Sequence, residues 1–283
     1  MTAGRPAVGG GTGGLLVDDD TRPLSRAVAP PPVPTHDRPV PTPPAARAWR
    51  VITVAGELVV TAGVVILLFV VYELFITDLF TARDQSRLNQ QLHDTWAATT
   101  TQPEVEPPVG RPMAVLHIPR LGSDFERVVV EGTGQEELEQ GPGHYVGSAL
   151  PGQQGNVALA GHRVGKGSPF LDLDTMRPGD PIVVETATRW YVYRVLGDPA
   201  TGDFTTDPSG IPGQEVVDPT GLQVISPTPG AAPTDPPSGA YLTITTCNPK
   251  YSARTRLVVH ARLDGEPVAK ADAPDGPPAL TGN

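Results

Sequence analysis

The chain of 283 residues contains one cysteine, Cys247, at the end of an alternating run of apolar and β-branched residues, Tyr241-Leu242-Thr243-Ile244-Thr245-Thr246-Cys247, that reads as a β-strand. Asn248-Pro249 stops that strand. After a short loop, residues 255–261 read as a second strand with Arg256 near its start. If the two strands lie side by side, a thiol and a guanidinium share one sheet end, an arrangement suited to attacking a carbonyl and holding the charge that develops on its oxygen. The reactive species is the thiolate, so the thiol needs a partner. Of the six histidines, His36 falls in an N-terminal tail and His93 on a helical pattern ahead of the β-rich part, while His117 and His260 sit inside strand patterns and read as packing or surface residues. His144 and His162 remain. His162 directly follows the apolar run Asn156-Val157-Ala158-Leu159-Ala160 and Gly161, so it stands where a strand meets a loop, as Cys247 does. Each residue also has a plain structural explanation: a lone cysteine as packing, a lone histidine as a core or surface group, a lone arginine as the partner of a carboxylate. Residue type and spacing alone leave both readings open.

A trio spread over this much chain needs a frame. Strand patterns recur at 114–118, 127–131, 156–160, 181–185, 190–196, 216–217 and 222–225, ahead of the two strands just described, with short helical stretches at 135–139 and 170–176. Many short strands separated by turn signals, with almost no helix, predict an all-β fold, closed or sandwiched, starting near Met113 and ending near residue 264. The loops 197–213 and 226–239 are long for a compact domain. The 34 prolines and 31 glycines crowd residues 1–50, 101–112, 198–239 and the C-terminal end, so the folded part is shorter than the chain. One cysteine permits no intramolecular disulfide. A net charge of −10 without a basic, aromatic-interleaved patch excludes nucleic acid as a partner. No carboxylate cluster has calcium-loop spacing, and neither a metal nor a cofactor is expected.

The N-terminal third reads differently. Residues 1–50 are of low complexity and predict a disordered tail. Residues 51–77 predict a transmembrane helix whose uncharged run, 58–72, is bracketed by Glu57 and Glu73; a buried helix of a soluble protein is the competing reading. A cleaved signal peptide is disfavoured, because the apolar run starts late and no small-x-small site follows it. Arg47, Trp49 and Arg50 flank one end, and Tyr72, Glu73 and Asp78 the other, so the positive-inside rule puts the tail in the cytoplasm and the β-rich part outside, as a single-pass type II membrane protein. Leu88, Leu92 and Trp96 repeat at helical spacing in 78–100, which reads as a stalk, followed by a Pro-rich linker to residue 112. From Gly265 to Asn283 the chain reads as unstructured.

Two signatures occur in order behind that anchor. One is Ala160-Gly161-His162-Arg163 after an apolar strand; the other is Thr243-Ile244-Thr245-Thr246-Cys247 with Arg256 nine residues on, isoleucine standing where leucine is usual. Gly141-Pro142-Gly143-His144-Tyr145 and Arg177-Pro178-Gly179-Asp180 accompany them. With these motifs, residues 113–263 resemble the sortases, membrane-bound cysteine transpeptidases of Gram-positive bacteria. Asn248-Pro249-Lys250-Tyr251-Ser252, Val216-Val217-Asp218-Pro219 and Gly56-Glu57-Leu58 are most similar to class E, the housekeeping type of actinobacteria.

The resemblance implies a closed eight-stranded β-barrel. It implies Cys247 as nucleophile, His162 as acid/base and Arg256 as stabiliser of the oxyanion, with Thr246 supporting that region and Tyr145 lining the substrate groove. The implied reaction cleaves the Thr–Gly bond of a Leu-Pro-x-Thr-Gly or Leu-Ala-x-Thr-Gly sorting signal through a thioester. The acyl group then passes to an amine of a peptidoglycan precursor, lipid II. Partners would be surface proteins bearing the signal, the precursor and the membrane. A pilus-polymerising sortase would use the same residues with a lysine acceptor; the hydrophilic sequence from Gly265 speaks against that class. A hydrolytic cysteine protease and a non-catalytic anchored binding module compete with both.

Overall fold

The computed structural model describes residues 44–72, 77–98, 105–165 and 167–281. The expected tail over 1–43 and the junctions at 73–76 and 99–104 lie outside the described residues. The chain divides into two units between Glu57 and Leu58, so helix α1 (Pro44–Val71) is shared between them. Within α1, the 24 residues Ala48–Val71 form a strongly apolar stretch, none of it buried. At about 1.5 Å per residue they cover about 36 Å, against a hydrocarbon core of about 30 Å. The helix starts earlier than the composition predicts, inside the stretch read as tail. Pro44 stands at its first position, where proline loses no intrahelical hydrogen bond.

Helix α2 (Thr77–Ala98) carries the Leu88, Leu92 and Trp96 stripe. It is not a free stalk. Leu88 and Leu92 are fully buried against Val115, Val128 and Val130, with Trp96 packed beside them. Gln85 anchors the same face as a strand would: its Oε1 accepts from Val128 N at 2.7 Å, and its Nε2 donates to Val128 O at 3.3 Å and Gln140 O at 2.6 Å. The folded unit therefore begins well before Met113, because the apolar stripe of α2 finds its cover on the β-rich part.

Among the described residues ten strands follow: β1 (Pro112–His117), β2 (Glu126–Glu131), β3 (Gly143–His144), β4 (Gly155–Ala160), β5 (Pro181–Glu185), β6 (Arg189–Val195), β7 (Gln214–Val217), β8 (Ala240–Asn248), β9 (Thr255–Leu263) and β10 (Val268–Ala269), with helix α3 (Gln135–Gln140) between β2 and β3. Eight of them close into a barrel in the order β6-β5-β1-β2-β3-β4-β8-β9, because β9 pairs back onto β6. One edge of β9 is shared: residues 256–259 pair with β7 and residues 261–263 with β6. Leu116, Tyr193, Leu242, Ile244, Leu257 and Val259 fill the interior, and alternate residues of the same strands face outward.

β4 is buried on both faces, which is why it reads as a continuous apolar run. Its outer face is covered by residues 222–226. The sequence predicts a strand at 222–225, and the structure has a 3-10 turn there. The Asn156 side chain, on β4, donates from Nδ2 to Val224 O at 3.2 Å and Ser226 O at 3.0 Å, so these carbonyls are satisfied without a ladder. The expected helix at 170–176 is likewise reduced to a 3-10 turn at Leu173–Thr175.

The long loop 197–213 is held by its own aspartates. Asp198 accepts from Ala200 N at 2.8 Å, Asp203 from Thr205 N at 2.8 Å and Asp207 from Ser209 N at 2.8 Å, each closing a local turn. These bonds hold the Asp198 and Asp203 carboxyls below the usual aspartate range.

The C-terminal segment differs from its expectation. Instead of an unstructured tail, Val268–Ala269 pair with β6, Trp190 Nε1 donates to Ala273 O at 3.0 Å, and Lys270 Nζ lies 4.4 Å from the Trp96 ring centroid and 2.6 Å from Glu185 Oε1. Two tryptophans and a carboxylate from distant parts of the chain hold it, and local composition carries no sign of them. Burial raises the pKa of Glu185, but hydrogen bonds from His117 and Lys270 outweigh it and leave the carboxyl below the ordinary glutamate range. A carboxylate with a depressed folded-state pKa contributes stability above its unfolded value, and that contribution is lost as pH falls through the folded value. Glu185→Gln is therefore expected to cost about 1–2 kcal/mol at pH 7. The difference from the unsubstituted chain should shrink as pH falls below about 4. Urea unfolding at a series of pH values measures both.

Candidate active site

β4 and β8 run parallel, with Ala160 opposite Thr245. The two chains leave the sheet at the same end, and there they are tied: Gly161 N donates to Thr245 O at 3.2 Å and Thr246 Oγ1 donates to Gly161 O at 2.8 Å. One residue beyond the tie on each chain stand His162 and Cys247. On the other side of β8, Cys247 is the direct cross-strand partner of Arg256 on β9. Directly opposed residues have their Cβ atoms about 4.5–5.5 Å apart.

Alternation then decides which way these residues point. Leu242 and Ile244 of β8, Leu257 and Val259 of β9, and Val157 and Leu159 of β4 all face the interior. With a period of two, Cys247 and Arg256 fall on the outward face of the same rim, and His162 stands at that rim two residues past the end of β4. All three are half-buried. Gly161 keeps the turn into His162 tight: a Cβ there would meet the Phe170 ring at 2.5 Å. Cys247 is a free thiol. The Arg256 guanidinium folds back over the hairpin loop, Nη1 donating to Ala253 O at 3.1 Å and Thr255 O at 3.2 Å.

Tyr145 belongs to the same outward face. Its hydroxyl lies 3.1 Å from Thr245 Oγ1, two residues before the thiol. Thr246 does not: its side chain points inward, is buried, and its hydroxyl is used on Gly161 O. It brackets the two site-bearing chains, its hydroxyl committed to a bond within the protein. His144 stands apart from the rim, fully buried against Glu131. His260 is a core residue. The Thr243 hydroxyl donates to Asn156 Oδ1 at 2.9 Å, so His260 Nδ1 donates to Thr243 Oγ1 at 2.8 Å. The ring thereby links β4, β8 and β9.

Arg163, part of the histidine motif but given no role from the sequence, is a buried support of the rim. It is 4% exposed, yet it spans from the loop after His162 to the hairpin after Cys247. Nη1 donates to Asn248 Oδ1 at 2.7 Å and, more weakly, to Cys247 O at 3.5 Å, while Nη2 pairs with Asp174 Oδ1 at 2.9 Å. Lys250 extends the network to Asp172 at 2.9 Å. Its only sequence signal is its place directly after His162. Arg163→Ala leaves Asn248 Oδ1 without its donor and half-exposed Asp174 with only Lys250, 3.7 Å away, and water. About 2–3 kcal/mol of stability is expected to be lost, and Arg163→Lys, lacking the planar fork, should recover only part of it. Denaturant midpoints of the two variants check this.

Among the described residues, the one cluster of metal-ligating groups is Glu106, Glu131 and His144, and no member of the rim belongs to it.

A sortase domain model matches residues 116–264, which takes in the whole rim. The chain belongs to the sortase family. It is 34% identical over 227 residues to sortase SrtE1 of Streptomyces coelicolor, a match covering 78% of this chain and 59% of that protein. To sortase SrtE2 of the same organism it is 33% identical over 233 residues, covering 78% of this chain and 85% of the relative. Among solved structures, the SrtF sortase of Corynebacterium diphtheriae superposes with a TM-score of 0.57 at 38% identity, covering 63% of this chain and 96% of that one. Sortase E of Streptomyces avermitilis gives 0.50 at 37% identity, covering 62% and 99%. This sortase is thus of the class E kind, a cysteine transpeptidase by family, on the closed eight-stranded barrel that the family shares. Among the described residues, one helix is long and apolar enough to cross a membrane.

Proposed function

We propose that this sortase cleaves the Thr–Gly bond of a Leu-Ala-x-Thr-Gly or Leu-Pro-x-Thr-Gly sorting signal and transfers the threonyl acyl group to an amine of lipid II. The observation that carries the reading is the common outward rim, where Cys247 opposes Arg256 and His162 leaves the neighbouring parallel strand. The Cys247 thiolate attacks the threonine carbonyl. Arg256, with backbone N–H groups, holds the negative charge of the tetrahedral intermediate. His162 gives its proton to the departing glycine amine, which breaks the C–N bond and leaves a thioester on Cys247. The incoming amine attacks that thioester, losing its proton to His162 and releasing the thiolate. Tyr145, on the same face, lines the groove for the signal. Thr246 keeps the two site-bearing chains in register.

In this reading α1 anchors the enzyme with its N-terminal end, flanked by Arg47 and Arg50, in the cytoplasm and the barrel outside. Surface proteins carrying the signal and the peptidoglycan precursor are then the partners. The test uses the full-length chain in detergent with each of the two peptides. Intact-mass analysis should find an acyl adduct on Cys247, and added amine should convert peptide to the transfer product at the expense of hydrolysis. No adduct with either peptide would overturn the proposal.

A further inference from the structure

Away from the rim, the fold brings together three groups that the sequence keeps apart: Glu106 on the segment ahead of β1, Glu131 at the end of β2 and His144 at the end of β3. One carboxylate oxygen from each glutamate and one ring nitrogen of His144 lie within 4.8 Å of one another. Glu131 and His144 are direct partners in the β2–β3 ladder, and both are sealed from solvent, at 1% and 0% exposure. Glu106 is exposed and reaches in from the linker, its Oε1 accepting from Gly147 N at 2.8 Å.

The hydrogen bonds around this cluster leave one buried carboxylate oxygen over. His144 Nε2 lies 3.1 Å from Ala149 O and 2.8 Å from Ser148 Oγ. With Ser148 Oγ–H donating to Nε2, Nδ1–H donates to Glu131 Oε2 at 2.8 Å, so one proton stands between the ring and that oxygen. With a metal ion in the place of that proton, Nε2–H instead donates to Ala149 O. In addition, Glu131 Oε1 is buried with no hydrogen-bond partner. A buried carboxylate oxygen without a donor is costly, and a second carboxylate brought beside it adds to the cost.

We propose that Glu106, Glu131 and His144 bind a divalent transition-metal ion of the Zn²⁺ or Mn²⁺ type. Two carboxylate oxygens and one imidazole nitrogen form a borderline donor set that suits these ions. Calcium, which takes oxygen ligands, is disfavoured by the imidazole. An Nε2–H donated to a backbone carbonyl is the orientation that metal-bound imidazoles take up through their other nitrogen. The ion's two charges match the two carboxylates, and Glu131 Oε1 gains the partner it lacks. The exposed Glu106 is the ligand able to close the remaining distance. Bound there, the ion fastens the linker segment to the barrel wall beside Tyr145, whose hydroxyl reaches the Cys247-bearing strand.

The test takes the full-length chain in detergent, stripped with a chelator, and titrates it with Zn²⁺ and with Mn²⁺. Thermal unfolding and bound metal per chain are both read. One ion per chain should bind, and the unfolding midpoint should rise by roughly 5–10 °C at a free-ion level a hundredfold above Kd. Glu106→Gln alters an exposed side chain, so without the ion it should unfold where the unsubstituted chain does. With the ion it should bind at least about tenfold more weakly and lose most of the shift. If neither ion moves the midpoint of the unsubstituted chain, or if Glu106→Gln shows the same stoichiometry and shift, the proposal is overturned and a shared proton holds the cluster. Peptide cleavage plays no part in these readouts, so the outcome is independent of the rim.

Discussion

Cys247→Ala is expected to form no acyl adduct with a Leu-Ala-x-Thr-Gly or Leu-Pro-x-Thr-Gly peptide and to cleave neither above the uncatalysed rate. The proposed reaction stores the acyl group on sulfur between its two halves, so no other group on the rim substitutes for it. The loss should not come from unfolding. Cys247 is half-buried on the outward face, and trading its thiol for a methyl group leaves the interior residues Leu242 and Ile244 untouched. A stability change within about 0.5 kcal/mol is expected. Intact mass, peptide turnover and a urea midpoint on the same preparation make the comparison. An adduct persisting in the alanine variant would place the nucleophile elsewhere.

Arg256→Ala should lower kcat/KM by about 10²–10³, the range for removing one oxyanion donor. The rationale is the register: Arg256 is the residue directly across from the thiol. Its guanidinium is held at the rim by Ala253 O and Thr255 O, bonds through Nη1 alone, so other donors of the fork can turn to the substrate. Arg256→Lys keeps a charge without the fork and should recover only part of the rate. Losing those loop contacts should cost about 1 kcal/mol of stability, too little to explain the fall. Turnover kinetics of both variants decide the matter, and full activity in Arg256→Ala would remove this residue from the oxyanion site.

Period-two patterning made the barrel strands legible, and the same periodicity gives the rim its outward direction. Where a segment's backbone is satisfied by a distant side chain, pattern reading failed. Residues 222–225 look like a strand and are a turn, because Asn156, far away in the chain, bonds the carbonyls there. The segment after Gly265 has the composition of a tail, yet Trp190, Trp96 and Glu185 hold it to the barrel. The α2 stripe was visible as a helix face, but not as a face already covered.

By itself the sequence determined the apolar N-terminal helix, the all-β class, and the three residue types that stand at strand ends with the family's motifs around them. Those properties reside in neighbouring residues, whose periodicity and length carry the physics. Only the tertiary structure decided that Arg163 is the buried clamp between the histidine and cysteine loops, that Thr246 faces inward, and that Glu106, Glu131 and His144 meet. Each of these depends on which strand lies beside which, and strand neighbours are set by closing one shared interior rather than by any local pattern.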